Sequence, residues 1–334
     1  MKNIILKYSY LFAITTVLFA CNPDTFAPVV DVKMPDGEKA LVPNMYLQTG
    51  IPISMYVGQT QAVLATNKNF KLDNATIELF EDGNLINGWV KGNIIDSPIY
   101  YIPNIKPKPG SVYTTKVSSM GFLTAEATDT MPSKLNFTVT KTSNLKYFQA
   151  TDPFNGSLGF KDTLQEIKIT WQDNGNVSDF YRIVVMDNDS NGEYIYSAPW
   201  KQFTFKREIH SIDAIFQDSG DPIGAIGSGS SADVVRPNEK YFTDITFNGK
   251  QKEVSLYLPI GREENWQSQD LGFEKAYISL QHLSRAAYLH VTSVMQYNPN
   301  TGLFAQPTLV YSNYKNGFGI LGCQSTNMQS VQVR

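Results

Sequence analysis

Short segments of alternating apolar and polar residues recur along most of the chain and are separated by turn residues. Residues 75–80 alternate and run into Asp82-Gly83, a pair that supplies the positive φ angles of a tight hairpin. Residues 241–247 and 253–258 flank Asn248-Gly249 in the same way. Because alternation places every second side chain on one face, the pattern predicts strands that bury one side. We therefore predict a mostly β fold.

The spacing of these segments predicts two domains. Residues 29–133 carry about seven short strands with turn signals, which is typical of an immunoglobulin-like β-sandwich. Residues 134–334 predict a larger β-rich domain with one helix at about 284–297. Ser284 suits the N-cap of that helix. Its predicted buried stripe is Ala287, Val291, Val294 and Met295, and the predicted final strands are Val310–Tyr314 and Phe318–Cys323.

The first twenty-one residues predict export and lipidation. A largely apolar run over residues 8–19 follows two lysines and is too short to span a bilayer. It ends in Leu18-Phe19-Ala20-Cys21, which resembles a lipobox. We expect residues 1–20 to be a lipoprotein signal peptide and residues 21–28 to be a tether. Cys21 would carry diacylglycerol and an acyl chain such as palmitate, unless the segment is an ordinary secretory signal with a coincidental cysteine.

Composition excludes several other classes. Of 334 residues, 42% are hydrophobic and 18% are charged, which argues against wholesale disorder. The net charge of −3 and the lack of a long basic run argue against nucleic-acid binding. The second cysteine is Cys323. A disulfide with Cys21 is one interpretation, but lipidation of Cys21 would leave Cys323 as a buried, inert thiol.

One acidic segment has the start of a calcium loop. Asp187, Asp189 and Asn191 could place hard oxygen ligands around one Ca²⁺, and Gly192 would permit a sharp turn. The closing glutamate is missing, since the twelfth position is Ala198. A polar hairpin loop is therefore the simpler interpretation, and weak calcium binding is the alternative hypothesis.

No recognisable catalytic or zinc motif occurs in the sequence. His210, His282 and His290 lack metal-site spacing, and we interpret His282 and His290 as structural residues. There is also no Gly-x-Ser-x-Gly nucleophile motif. Trp200 and Trp266 lie in loop-like contexts and are candidates for contact with a sugar, a peptide or a partner, although burial in the core is the simpler interpretation.

Several segments together resemble a known family. The C-terminal part resembles the signature of a Bacteroidota lipoprotein family, domain of unknown function 4249, which has a Pro, a Ser-Asn pair and a glycine-bounded strand. Here these are Pro307, Ser312-Asn313 and residues 316–322. Further similar segments are residues 74–77, 109–113, 242–244, 247–250 and 284–296.

This resemblance implies a location and a role. It implies a lipid-anchored outer-membrane protein, exposed at the cell surface and often encoded beside a TonB-dependent transporter, a β-barrel that we expect to be its partner. We expect a non-enzymatic protein that binds a ligand or that transporter, with no resident cofactor. The alternatives are a structural or assembly subunit of an outer-membrane complex and a surface hydrolase.

Overall fold

The computed structural model describes residues 39–61, 72, 74–92, 99–151, 158–186, 211, 213, 215, 239–264, 267–270, 275–296 and 309–333. Within these residues the protein is mostly β with a single helix, as the sequence predicts. The strands are β1 (Leu41–Gln48), β2 (Ile53–Gln59), β3 (Thr76–Glu81), β4 (Asn84–Ile86), β5 (Val90–Lys91), β6 (Ile99–Ile102), β7 (Val112–Ser118), β8 (Ala125–Thr130), β9 (Phe137–Thr151), β10 (Leu158–Gln172), β11 (Phe180–Met186), β12 (Glu239–Thr243), β13 (Gln251–Glu264), β14 (Gln267–Asp270), β15 (Lys275–Leu283) and β16 (Ile320–Gln332), and the helix is α1 (Arg285–Gln296).

The described strands form three sheets. The central sheet has eight strands in the order β12-β11-β15-β16-β1-β2-β6-β5. The first small sheet has the order β4-β3-β7-β8, and the second small sheet has the order β14-β13-β10-β9. β1 and β16 pair in parallel at the middle of the central sheet, although they are the first and last described strands. The predicted domains, 29–133 and 134–334, therefore share one hydrogen-bonded sheet.

Two hydrophobic cores lie on one face of the central sheet, which we call the core face. Met45 and Cys323 of the central sheet share the first core with Leu79 of the first small sheet. Ile183 and Ile278 share the second core with residues of the second small sheet, among them Ile167, Ile169 and Trp171, which share one face as their alternation indicates. Each small sheet thus forms a sandwich with one half of the central sheet.

The opposite face of the central sheet carries α1, and we call it the helix face. Ser284 caps α1, since its hydroxyl accepts a hydrogen bond from the Ala287 N–H at 3.1 Å. This confirms the predicted helix and its cap. Ala287 is buried and Val291 packs beside it. The predicted stripe is wrong at its end, because Val294 and Met295 are each 47% exposed.

The predicted hairpins have different outcomes. Asp82 and Gly83 have φ angles of 50° and 80° and join β3 to β4 in a tight hairpin, as predicted. The hairpin predicted around Asn248-Gly249 is wrong, because β12 pairs with β11 and β13 pairs with β10. That turn instead carries the chain from the central sheet to the second small sheet. An Asn-Gly pair permits a reversal of direction but does not specify the strand that each side pairs with.

The strand predicted at Val310–Tyr314 is also wrong. The Asn313 side chain, and not a paired strand, hydrogen-bonds to the backbone of Leu321 on β16. Its Nδ2 donates to the Leu321 carbonyl at 2.8 Å, and its Oδ1 accepts from the Leu321 N–H at 3.0 Å. The predicted strand at Phe318–Cys323 exists as the longer β16.

Candidate ligand-binding cavity

A cavity of about 440 Å³ opens on the helix face of the central sheet, beside α1. Residues of adjacent strands line its floor, and Val291 of α1 forms part of its wall. Side chains that combine a flat or apolar surface with hydrogen-bonding groups predominate. The lining residues are Asn44, Tyr46, Gln48, Ile51, Pro52, Ser54, Met55, Tyr56, Ile99, Arg182, Tyr241, Leu283, Val291 and Gln324.

Gly322 on β16 sets the distance between α1 and the sheet. A methyl group at Gly322 would lie 3.1 Å from Cβ of Ala287 and 3.1 Å from Cε1 of Tyr46. Such contacts are tighter than normal packing, so a larger residue would push the helix or the tyrosine away. The absence of a side chain at this position therefore helps to define the edge of the cavity.

Tyrosine hydroxyls supply part of the polar lining. Tyr46 is 40% exposed, and its ring lies 6.0 Å from the ring of His290 on α1. Partial burial raises the pKa of Tyr46 to about 12, and nearby Arg182 opposes this rise. Burial likewise raises the pKa of Tyr241. Both hydroxyls therefore remain protonated at neutral pH. The Tyr241 hydroxyl donates to Glu239 Oε1 at 3.4 Å, and the Tyr46 hydroxyl can donate to a ligand.

Arg182 contributes a cation whose charge is already balanced. Its guanidinium pairs with the carboxylate of Glu239, and its Nη1 donates to Gln281 Oε1 at 3.0 Å. It also lies 5.4 Å from the ring centroid of Tyr241. Because Glu239 neutralises Arg182, the cavity has little net charge for attracting ionic ligands.

Two amide side chains meet at the cavity floor where β1 and β16 pair. Gln324 Nε2 donates to Gln48 Oε1 at 2.6 Å. This bond uses the side-chain carbonyl of Gln48 and the NH₂ group of Gln324. The NH₂ group of Gln48 and the side-chain carbonyl of Gln324 remain for a further partner. The cavity can therefore accept and donate hydrogen bonds beside aromatic rings, which suits an uncharged polar ligand with a flat face.

None of the site residues predicted from sequence is among the residues that the structure describes. Cys21, the calcium candidates Asp187, Asp189 and Asn191, and the aromatic candidates Trp200 and Trp266 all lie outside the described residues. These assignments stay predictions. Sequence reasoning missed the cavity residues because a floor built from neighbouring strands of distant sequence position has no linear motif.

The structural interpretation of two histidines agrees with their contacts. His282 contacts Asp179 and the Ser133 carbonyl, and His290 Nδ1 donates to the Tyr311 carbonyl at 2.6 Å. His210 lies outside the described residues. Cys323 is buried, as predicted, and burial raises the pKa of its thiol well above the ordinary value. A protonated, inaccessible thiol is a poor nucleophile.

Sequence comparison with known proteins gives the family. The model of a domain of unknown function, DUF4249, matches residues 28–330. The chain belongs to the DUF4249 family. The match covers most of the chain and agrees with the resemblance seen in its separate segments. The family description assigns no activity to the DUF4249 domain, and no curated protein matches the chain.

The only described helix of this DUF4249 protein is α1, with 12 residues. None of the helical structure in the described part of the chain has the length and apolar character needed to cross a bilayer.

Proposed function

We propose that this protein is a non-enzymatic binding protein, held at the outer membrane by lipid at Cys21, that takes a small ligand into the cavity beside α1. The cavity carries this proposal, because tyrosine rings, paired amides and a neutralised arginine converge on one concave surface. Such a mixture of flat surfaces and hydrogen-bonding groups is typical of small-molecule sites. The ligand class that fits is a sugar or a short peptide without strong net charge.

The membrane location rests on the N-terminal sequence and the resemblance described above. A lipid at Cys21 would keep the β-rich unit close to other outer-membrane proteins. Tethering raises the effective concentration of a neighbouring partner without requiring tight contacts. We propose a TonB-dependent β-barrel transporter as that partner, which would receive the ligand at the cell surface.

The test uses the full-length protein extracted from its own membranes in mild detergent. Native mass spectrometry would detect small molecules that remain bound, and titration with oligosaccharide and peptide panels would measure their affinity. Tyr46→Ala and Gln324→Ala are the cavity variants. Met120→Ala is the control, because Met120 is 97% exposed on a hairpin remote in sequence from the cavity strands.

We expect a ligand to bind wild type and Met120→Ala alike, and each cavity variant to weaken binding at least about tenfold, or roughly 1.4 kcal/mol. A β-barrel partner that copurifies without any small molecule, with no titratable ligand, would contradict the binding role and favour an assembly subunit. Steady turnover of a glycan or peptide would contradict the non-enzymatic role.

Replacement of Cys21 by Ser tests the anchor separately. We expect the Cys21→Ser protein to leave the membrane fraction while the cavity keeps its affinity, because acyl chains provide the membrane attachment. Retention of this variant in the membrane at the normal processed size would contradict lipid anchoring.

A further inference from the structure

Three buried carboxylates converge at one end of the second sandwich. Asp173 follows β10, Asp179 precedes β11 and Asp244 follows β12. The three residues are 4%, 3% and 2% exposed, and one carboxylate oxygen from each lies within 4.8 Å of the others. Like charges this close repel one another strongly where water is excluded, so the cluster needs compensation.

Neighbouring groups compensate the three carboxylates only in part, and the Asp244 carboxyl has backbone hydrogen bonds from Asp179 and Asp244. The Tyr181 hydroxyl donates to Asp173 Oδ1, and the Gly249 N–H donates to Asp173 Oδ2 at 2.7 Å. His282 Nε2 lies 3.0 Å from Asp179 Oδ1. The His282 imidazole carries at most one positive charge. One imidazole cannot balance three carboxylates.

Asp244 supplies an independent sign of a missing partner. Its Oδ2 is buried and accepts no hydrogen bond from the described residues. Buried carboxylate oxygens are nearly always paired, and one without a donor indicates a bound ion or a proton. Burial, together with Asp173 and Asp179 nearby, raises the pKa of Asp244 when no cation is present.

We propose that Asp173, Asp179 and Asp244 bind a divalent cation, preferentially Ca²⁺. All three offer hard oxygen ligands, which Ca²⁺ prefers. Two oxygens that share one Ca²⁺ lie at most about 5 Å apart, which accommodates the observed cluster. Zinc suits it less well, because it prefers thiolate or imidazole ligands and both ring nitrogens of His282 face other acceptors.

The bound cation would connect two turns, each of which links the central sheet to the second small sheet. Residues 173–179 connect β10 to β11, and residues 244–250 connect β12 to β13. The turns already touch, since a methyl group at Gly175 would lie 2.8 Å from Cα of Gly249. A shared ion would therefore tie the central sheet to the second small sheet beside the aromatic cluster of Trp171, Tyr181, Phe242 and Phe247.

The test measures the melting temperature of full-length protein after removal of metal with a chelator. We expect Ca²⁺ at a hundredfold excess over its Kd to raise the Tm of wild type by roughly 3 °C or more. Asp244→Asn should abolish this rise and, without Ca²⁺, should be at least as stable as wild type, because it removes a buried charge. Glu78→Gln, at an exposed carboxylate on β3, is the matched control and should keep the full rise.

Terbium luminescence gives a second measurement, since Tyr181 contacts the cluster and can sensitise a bound Tb³⁺. We expect Tb³⁺ emission that Ca²⁺ displaces, with at least tenfold weaker binding in Asp244→Asn. The proposal is overturned if wild type gains no Tm from Ca²⁺ or Mg²⁺ and sensitises no Tb³⁺. It is also overturned if Asp187→Asn/Asp189→Asn, and not Asp244→Asn, removes the response.

Discussion

Glu166 on β10 is a buried carboxylate held by neutral donors. It is 6% exposed and accepts hydrogen bonds from Asn144 Nδ2 at 2.8 Å, Thr142 Oγ1 at 2.9 Å and Ser255 Oγ at 2.8 Å. These bonds, that from Asn144 first, lower the pKa of Glu166 from 4.5 to about 2. The carboxylate therefore stabilises the fold above pH 4.5, and this contribution is lost as the pH falls through about 2.

Substitution of Glu166 by Gln tests this account. We expect Glu166→Gln to lower the free energy of unfolding by about 1–3 kcal/mol at pH 7, because an amide NH₂ would face other donors. The difference from wild type should shrink between about pH 4.5 and 2, as measured by urea denaturation. Glu78→Gln is the control, since Glu78 is exposed on β3 and should change stability by less than about 0.5 kcal/mol. A pH-independent difference would contradict the lowered pKa.

Gly319 is the glycine with the tightest surroundings in the described chain. Its φ angle is 107°, and a methyl group there would lie 2.1 Å from the carbonyl oxygen of Pro43. A larger residue would therefore be strained and would force β1 away from the start of β16.

We expect Gly319→Ala to destabilise the protein by about 2–4 kcal/mol in chemical denaturation. Gly50→Ala provides the comparison, because Gly50 has a φ angle of 84° but open space around it. Its cost should be about 1–2 kcal/mol from backbone strain alone. Equal costs at the two positions would contradict the steric role of Pro43.

At the scale of elements, the N-terminus of α1 connects three parts of the fold. The Ser284 hydroxyl caps the helix and donates to Asp129 Oδ2 on β8, and the Cys323 N–H of β16 donates to the same oxygen at 2.9 Å. One serine thus links the helix, the first small sheet and the central sheet, and it holds α1 beside the cavity.

Removal of this hydroxyl should loosen the helix. We expect Ser284→Ala to lower the free energy of unfolding by about 1–2 kcal/mol, because it removes a cap and leaves Asp129 with one donor fewer. Hydrogen exchange of the first-turn amides of α1 should also accelerate. The exposed Ser330→Ala on β16 is the control and should have neither effect.

At the scale of the whole molecule, the central sheet joins both cores. Cys323 lies in the first core and Trp171 lies in the second, so the two side chains report on different halves. Because β16 is shared, we expect these halves to unfold together.

In a Cys21→Ser chain, labelling of the Cys323 thiol and fluorescence of Trp171 should have the same urea midpoint. The chain has four tryptophans, so comparison with Trp171→Phe identifies the part of the fluorescence change that comes from Trp171. Reaction of Cys323 while Trp171 remains native would instead show that the two cores unfold independently.

The sequence alone determined the features that depend on neighbouring residues. Alternation predicted the β class and the shared face of Ile167, Ile169 and Trp171. Residue chemistry predicted the Asp82-Gly83 hairpin and the Ser284 cap. Each depends on φ preferences, side-chain periodicity or a hydrogen bond within one turn, and none requires a distant partner.

The tertiary structure decided which strands pair and therefore where the sites lie. The Asn248-Gly249 turn crosses between sheets, and β1 pairs with β16, because burial of whole faces outweighs the preference for a local hairpin. The cavity pair Gln48–Gln324 and the carboxylates of Asp173 and Asp244 meet only through those pairings. Periodicity specifies which face a side chain occupies, but only the assembled sheets specify what lies opposite it.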